Sequence, residues 1–264
     1  MSSPLEMFDD AMIQKVEDLY SREQARLIRK GRIESFGIKP GDRVIDIGTG
    51  PGFYASEIGD YVGPDGEVLG IDNNEQMLEL GRRRTADTAH IRFKVADATQ
   101  LPAVNESFDV AFSTQVFEYV DDVDIAIAEM YRVLRPGGRG LIAATDWTSI
   151  AWNSSNDERM ERMLAAFAEH CAHECLPKTL GPRLRRAGFR QTNVEIQPIF
   201  ESTHDPDNYS LQIAGLIRSF VPGRQGVTQD DAEAWFADLY DVGERDEHFF
   251  SINRFQFEVQ KPVR

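Results

Sequence analysis

The chain has 264 residues, a length that suits one large α/β domain or one domain with a modest insertion better than two unrelated domains. A hydrophobic fraction of 41% and an aromatic fraction of 10% supply enough apolar surface for a core and exclude wholesale disorder. Forty-four acidic against 29 basic residues give a formal charge of -15, which repels a phosphate backbone or an anionic leaflet, so neither nucleic acid nor membrane is an expected partner.

No stretch approaches the roughly 20 apolar residues of a membrane helix, and the start MSSPLEMFDD is acidic where a leader would be basic and then apolar. Cys171 and Cys175 are four apart in a helical pattern, on one face, where geometry disfavours a disulfide. These features predict a cytoplasmic protein in a reducing compartment.

In chain order, residues 9–36 read as one or two amphipathic helices, and Gly37, Pro40 and Gly41 then force a turn before a buried strand over Arg43 to Ile47. A strand near Glu67 to Ile71, a helix over Asn74 to Arg84 and strands over Ile91 to Val95 and Phe108 to Ser113 follow. A helix from Val123 to Leu134 is stopped by Arg135-Pro136-Gly137-Gly138, and the next strand is Gly140 to Ala144. Strands spaced by helical crossovers predict a parallel sheet covered on both faces, a doubly wound α/β fold.

Residues 157–187 give two more helices, Thr192 to Phe200 a strand, and Phe249 to Val259 a last strand. Between those strands lie about 48 residues with helical patterns near Asn208 to Phe220 and Gln229 to Val242, too long for a hairpin and of the length that lids and binding elements have. The expected organisation is a helical cap over 1–36, an α/β core over 37–200, a helical insertion over 201–248 and a final core strand over 249–264.

The run Asp46-Ile47-Gly48-Thr49-Gly50-Pro51-Gly52 puts three alternate glycines between the first strand and a helix, where backbone can approach a ligand closely. A dinucleotide fingerprint would have glycine where Phe53 stands, and pyrophosphate would face the Asp46 carboxylate, so NAD is disfavoured. Asp72 ends the second strand, where a carboxylate can accept from ribose hydroxyls, and Asp97 follows the third, where one can accept from an adenine amino group. An acidic loop suits a ligand with cationic groups and no phosphate, and S-adenosylmethionine has an ammonium and a sulfonium.

These residues resemble the class I methyltransferases of the type that includes the ubiquinone and menaquinone biosynthesis methyltransferases. Asp46 to Gly52 resembles the family's first motif, Asp72 its ribose acid, Ala96-Asp97-Ala98 its adenine-binding strand end, Phe108 to Ser113 its fourth strand and Leu134 to Gly138 the turn before its fifth. The resemblance covers about residues 40–146, with Tyr119 where many relatives have histidine and Thr49 where many have cysteine. It implies a Rossmann-like seven-stranded sheet with the last strand antiparallel. It also implies a cofactor set of Asp46, Gly48, Thr49, Gly50, Gly52, Asp72, Asn73, Met77, Asp97, Ala98 and Gln115, with Tyr20 closing over the methionine part, for which simple core packing is the open alternative.

Methyl transfer from a sulfonium is an in-line displacement in which alignment and desolvation supply much of the catalysis. The acceptor is expected above the ends of strands four and five, near Gln115, Tyr119, Asp146 and Trp147, with Tyr119 and Trp147 binding substrate. Asp146, a carboxylate whose pKa an apolar neighbour such as Trp147 would raise, is the first general-base candidate, and an exposed strand-end aspartate is the alternative. His173 is a second base candidate beside the reading of an ordinary helix histidine.

His170, Cys171, His173, Glu174 and Cys175 invite a metal, but one helix cannot easily build a closed tetrahedral site, and none is expected. Trp147, Trp152, Phe200, Phe249 and Phe250 read mostly as core, with part of the group lining an apolar acceptor pocket. Tyr209, Leu211, Ile213, Leu216, Ile217 and Phe220 form apolar stripes on the insertion, read as a lid over the acceptor. Burial against the sheet's helices or a homodimer contact are open alternatives. The expected function is methylation of a small, partly apolar metabolite, with a non-catalytic cofactor-binding or scaffold protein and an NAD-dependent oxidoreductase as rivals.

Overall fold

A parallel strand covered by helices on both faces must be apolar on both, and β1 (Arg43–Ile47) is so built: Val44, Ile45 and Ile47 are fully buried and Asp46 nearly so. In the computed structural model, which describes Glu17 and residues 20–263, it pairs in parallel with β2 (Glu67–Asp72) and β4 (Phe108–Thr114). β3 (Ile91–Val95) pairs with β2, and β5 (Leu134–Trp152) with β4, again in parallel. With β6 (Arg190–Glu201) and β7 (Phe250–Gln260) the sheet has seven strands in the order β3-β2-β1-β4-β5-β7-β6.

The last strands are antiparallel. Gly137 and Gly138 exchange backbone hydrogen bonds with Lys261 while Asn153 donates to the Phe249 carbonyl, so β7 runs against β5. The expected Rossmann-like α/β sheet is therefore present, with the helical insertion between β6 and β7.

Helices α1 (Glu23–Phe36), α2 (Phe53–Val62), α3 (Glu75–Arg84) and α4 (Val123–Val133) lie in the first half. Gly37 ends α1 in the left-handed conformation, its N–H bonded to the carbonyls of Ile33 and Glu34. Asn74 caps α3 by accepting from the Gln76 and Met77 amides. The earlier part of the expected cap, residues 1–16 with 18 and 19, lies outside the described residues.

The chain divides into two compact units, one of residues 1–144, 176–195 and 256–264 and one of residues 145–175 and 196–255. The core of the first joins Ile33 and Phe36 of α1 to Val44, Ile58, Val68, Val110, Phe112 and Leu141. The second holds α5 (Asp157–Phe167), α7 (Tyr209–Phe220) and α8 (Gln229–Glu244), and α6 (Pro177–Arg186) belongs to the first.

In the second unit Met160, Met163 and Phe167 of α5 pack with Ile213, Ala214 and Ile217 of α7 and Trp235 and Leu239 of α8. Most of the α7 stripe is thus consumed in this core, the use left open as burial against helices. Among the described residues, no helix is long and apolar enough to cross a membrane.

Three local readings need correction. Arg135 to Gly138 is not a free turn but a bulged start of β5, where the β4 partner shifts from Leu134 to Arg139 across two residues. β5 also continues past Ala144 to Trp152. The cysteines are not on a helix: α5 passes into a short 3-10 turn at Ala168–His170, and Cys171 and Cys175, with no disulfide between them, lie in the turn before Pro177 starts α6.

Candidate active site

The glycine loop is tied to the neighbouring strand: the Gly48 and Thr49 amides both donate to the Ile71 carbonyl, at 2.7 and 2.8 Å. Asp72 then splints the loop from the other side, its Oδ2 accepting from the Gly50 amide and its Oδ1 from the Asn74 amide, both at 2.9 Å. Gly50 has φ 54°, and a Cβ placed on it would meet nothing within 4 Å, so the loop presents bare backbone to open space there.

Asp46 is 2% exposed and accepts from Thr49 Oγ1 at 2.6 Å. Asp97, just past β3, accepts from the Thr99 amide at 2.7 Å and hydroxyl at 2.6 Å. The registers Ile47↔Ile71 and Asp72↔Val95 align the ends of β1, β2 and β3, so the three carboxylates stand on one sheet edge. Met77 is buried under the α3 cap, and Asn73 is exposed in the connection.

Burial pushes the Asp46 carboxyl up to about 7, against the pull of the Thr49 hydroxyl and helped by the nearby Asp72 charge. Burial also raises Asp72, opposed by the backbone N–H groups of Asn74, Gly50 and Asn73. For Asp46 the folded pKa exceeds the unfolded one, so the folded protein binds more protons between about pH 4 and 7. Its contribution to stability is therefore expected to fall as pH rises through that window and to level off above it. Denaturant unfolding at pH 5 and 7.5 checks this: the parent should lose stability relative to Asp46→Asn over that interval, and parallel profiles would refute it.

Gln115 follows β4 with φ 56°, its amide donating to the Ala143 carbonyl at 2.7 Å. Tyr20 donates its hydroxyl to Gln115 Oε1 at 3.3 Å, which joins two sequence-predicted site residues 95 positions apart. Tyr119, half-buried, closes the 3-10 turn Phe117–Tyr119.

Asp146, Trp147 and His173 belong to the second unit. Asp146 Oδ1 accepts from the Thr148 amide and hydroxyl at 3.1 and 2.6 Å. Trp147 is 9% exposed; its backbone amide bonds the Glu174 carbonyl, and its ring meets Phe167 and His170 edge-on at 5.7 and 4.7 Å. His170 stacks on Phe167 at 4.0 Å and donates Nδ1–H to the Phe167 carbonyl, and burial pushes its pKa down to about 4, so it is a neutral packing ring.

A cavity of about 210 Å³ opens beside these rings, lined by Trp147, Thr148, Ile150, Leu164, Phe167 and Glu174 among others. The Trp147 indole Nε1 is buried with no hydrogen-bond partner. His173 is half-buried in the turn after the 3-10 segment, so the helix-histidine reading is corrected. Among the described residues no three His, Cys, Asp or Glu side chains are grouped to hold a metal ion.

This strand order, with a glycine loop after β1 and an acid closing β2, is the arrangement that the resemblance to class I methyltransferases implies. Residues 45–142 match the family described as a methyltransferase domain.

A 37.1 kDa protein from a Streptomyces fradiae transposon is 30% identical over 222 residues, covering 81% of this chain and 62% of its own. A demethylmenaquinone methyltransferase of Staphylococcus aureus is 36% identical over 124 residues, 47% of this chain and 52% of its own. The chain thus spans less than two thirds of either relative. Phosphoethanolamine N-methyltransferase 2 of Haemonchus contortus, solved with phosphomonomethylethanolamine and S-adenosylhomocysteine, superposes with a TM-score of 0.64 at 19% identity, covering 99% of this chain and 61% of that one.

Proposed function

We propose that the protein transfers the methyl group of S-adenosylmethionine to a small, partly apolar acceptor. The observation that carries this is the sheet edge on which Asp46, Asp72 and Asp97 stand, with the open backbone of Gly50 held by Asp72. That donor-poor, acceptor-rich cradle fits a nucleoside bearing an ammonium and a sulfonium, and it opposes a pyrophosphate.

Gly48, Thr49, Gly50 and Gly52 would shape the floor, with Asp72 and Asn73 at the ribose, Asp97, Ala98 and Met77 at the adenine, and Tyr20 and Gln115 at the methionine end. When bound, the cofactor supplies a methyl group on a good leaving group, so the protein needs no nucleophile of its own. The chain's own tasks are to orient the acceptor, exclude water and remove a proton where the acceptor carries one. Asp146 is the proposed proton acceptor, with His173 as its alternate and Tyr119 as an acceptor contact.

The second unit is proposed to bind the acceptor. Its cavity is lined mostly by apolar side chains, with Thr148 and Glu174 beside them, which suits a partly apolar acceptor. The name of the Staphylococcus aureus relative agrees with a quinone-type acceptor. Trp147→Ala, which removes one wall of that cavity, is expected to raise the acceptor KM about tenfold or more, with cofactor affinity unchanged.

Incubation with methyl-labelled cofactor and a panel of hydroxylated quinones, phenols and amines tests the reading. Label should move to one member of that panel. Cofactor binding without transfer to any of them would favour a non-catalytic cofactor-binding protein. No binding of either cofactor or its demethylated product at high micromolar concentration would sink the proposal.

A further inference from the structure

Phe53, the residue in the place of a third fingerprint glycine, begins α2 directly after the glycine loop and is 7% exposed. Two guanidinium groups lie over its ring, that of Arg84 with Cζ 3.6 Å from the centroid and that of Arg29 at 4.7 Å. The Tyr20 ring is 6.0 Å away.

Both arginines reach on to residues ahead of α1. Arg84, the last residue of α3, donates Nη2 to Glu17 Oε1 at 2.5 Å and Nε to the Pro51 carbonyl of the loop at 3.2 Å. Arg29, 4% exposed, donates Nη1 to the Tyr20 carbonyl at 2.7 Å and both Nε and Nη2 to Glu57 Oε1, at 2.9 and 2.6 Å.

Desolvating a guanidinium is unfavourable unless its donors are satisfied in good geometry. Here the donors are satisfied by the glycine loop, by α2 and by Glu17 and Tyr20. One aromatic ring with two cations thus fixes Glu17 and Tyr20 beside the loop, and Tyr20 in turn to Gln115.

We propose that Arg29 and Arg84 are positioning residues which, with Phe53 as their common platform, hold Tyr20 on Gln115 beside the glycine loop and so slow release of the cofactor. The inference rests on the cofactor assigned above. Cation–π contact and a partly buried ion pair act together at Arg84, so its loss should be felt as a rate of escape rather than as a change in the acceptor site.

The test is stopped-flow displacement of bound S-adenosylhomocysteine from the full chain, joined to hydrogen exchange of the peptide carrying Glu17 and Tyr20 in the cofactor-free protein. Arg84→Met is expected to speed release roughly five- to tenfold and to raise exchange in that peptide. Arg84→Lys, which keeps the charge over Phe53 but not the bond to Pro51, should fall between. Glu17→Ala removes the anchor without touching the loop and should act in the same direction, so the test survives misfolding of Arg84→Met. Unchanged release in Glu17→Ala and in a folded Arg84→Met, even with lowered melting temperatures, overturns this inference alone. A parent protein that binds no cofactor overturns it together with the proposed function.

Discussion

An Asp72→Ala protein is expected to bind S-adenosylmethionine about 10- to 150-fold more weakly than the parent, a loss of about 1.5 to 3 kcal/mol on the scale of charge-assisted hydrogen bonds. Two effects of one carboxylate add up here. Asp72 holds the Gly50 amide and the Asn74 amide, and so sets the shape of the loop before any ligand arrives. It is also the acceptor proposed for the ribose hydroxyls.

Calorimetry with S-adenosylmethionine and with S-adenosylhomocysteine separates these from simple charge attraction, because the two ligands share the ribose and differ at the sulfur. Equal losses for both would assign the effect to ribose and loop. A loss confined to the sulfonium ligand would make Asp72 a mere counter-charge, and unchanged affinity for both would remove it from the site.

Gly52→Ala is expected to destabilise the fold by about 2 to 5 kcal/mol, read by denaturant unfolding. At φ 75° a side chain is strained by about 1 to 2 kcal/mol. A Cβ there would also stand 2.8 Å from the Gly81 Cα of α3 and 3.0 Å from the Phe93 ring, where overpacking typically adds about 1 to 3 kcal/mol. Backbone on one side and a ring held by β3 on the other leave little room to yield.

Gly50→Ala is the control, since it shares the left-handed backbone but meets nothing within 4 Å. Its loss should be confined to the strain. If the two variants were equally mild, the close packing of α2 on α3 would not be what position 52 requires.

The order of strands and helices through Ala144 is legible because parallel strands covered on both faces read as near-continuous apolar runs, as Val68 to Ile71 and Val110 to Phe112 do. The acids at positions 46, 72 and 97 are legible by their place at strand ends. The second half of β5 is not. Thr145 to Trp152 mixes polar and aromatic residues without a clean alternation, and its partner in β7 lies about a hundred positions onward, so only tertiary pairing makes it a strand.

The turn at 171–176 read as helix because His170, Cys171 and Glu174 continue the spacing of α5, whereas His170 folds back on Phe167 and ends it. The arginines over Phe53 had no sequence signal at all. Arg29 and Arg84 are 55 positions apart and look like ordinary surface charges until α1 and α3 bring them to one ring.

The chain crosses between the two units four times, inside β5, β6 and β7 and in the turn before α6, so neither unit is a continuous stretch of chain. The second unit cannot then be exchanged between relatives as a cassette with two joints. Any recombinant must rejoin three strands in register at once, and a new substrate preference is more readily reached by point changes along α5, α7 and α8 than by grafting.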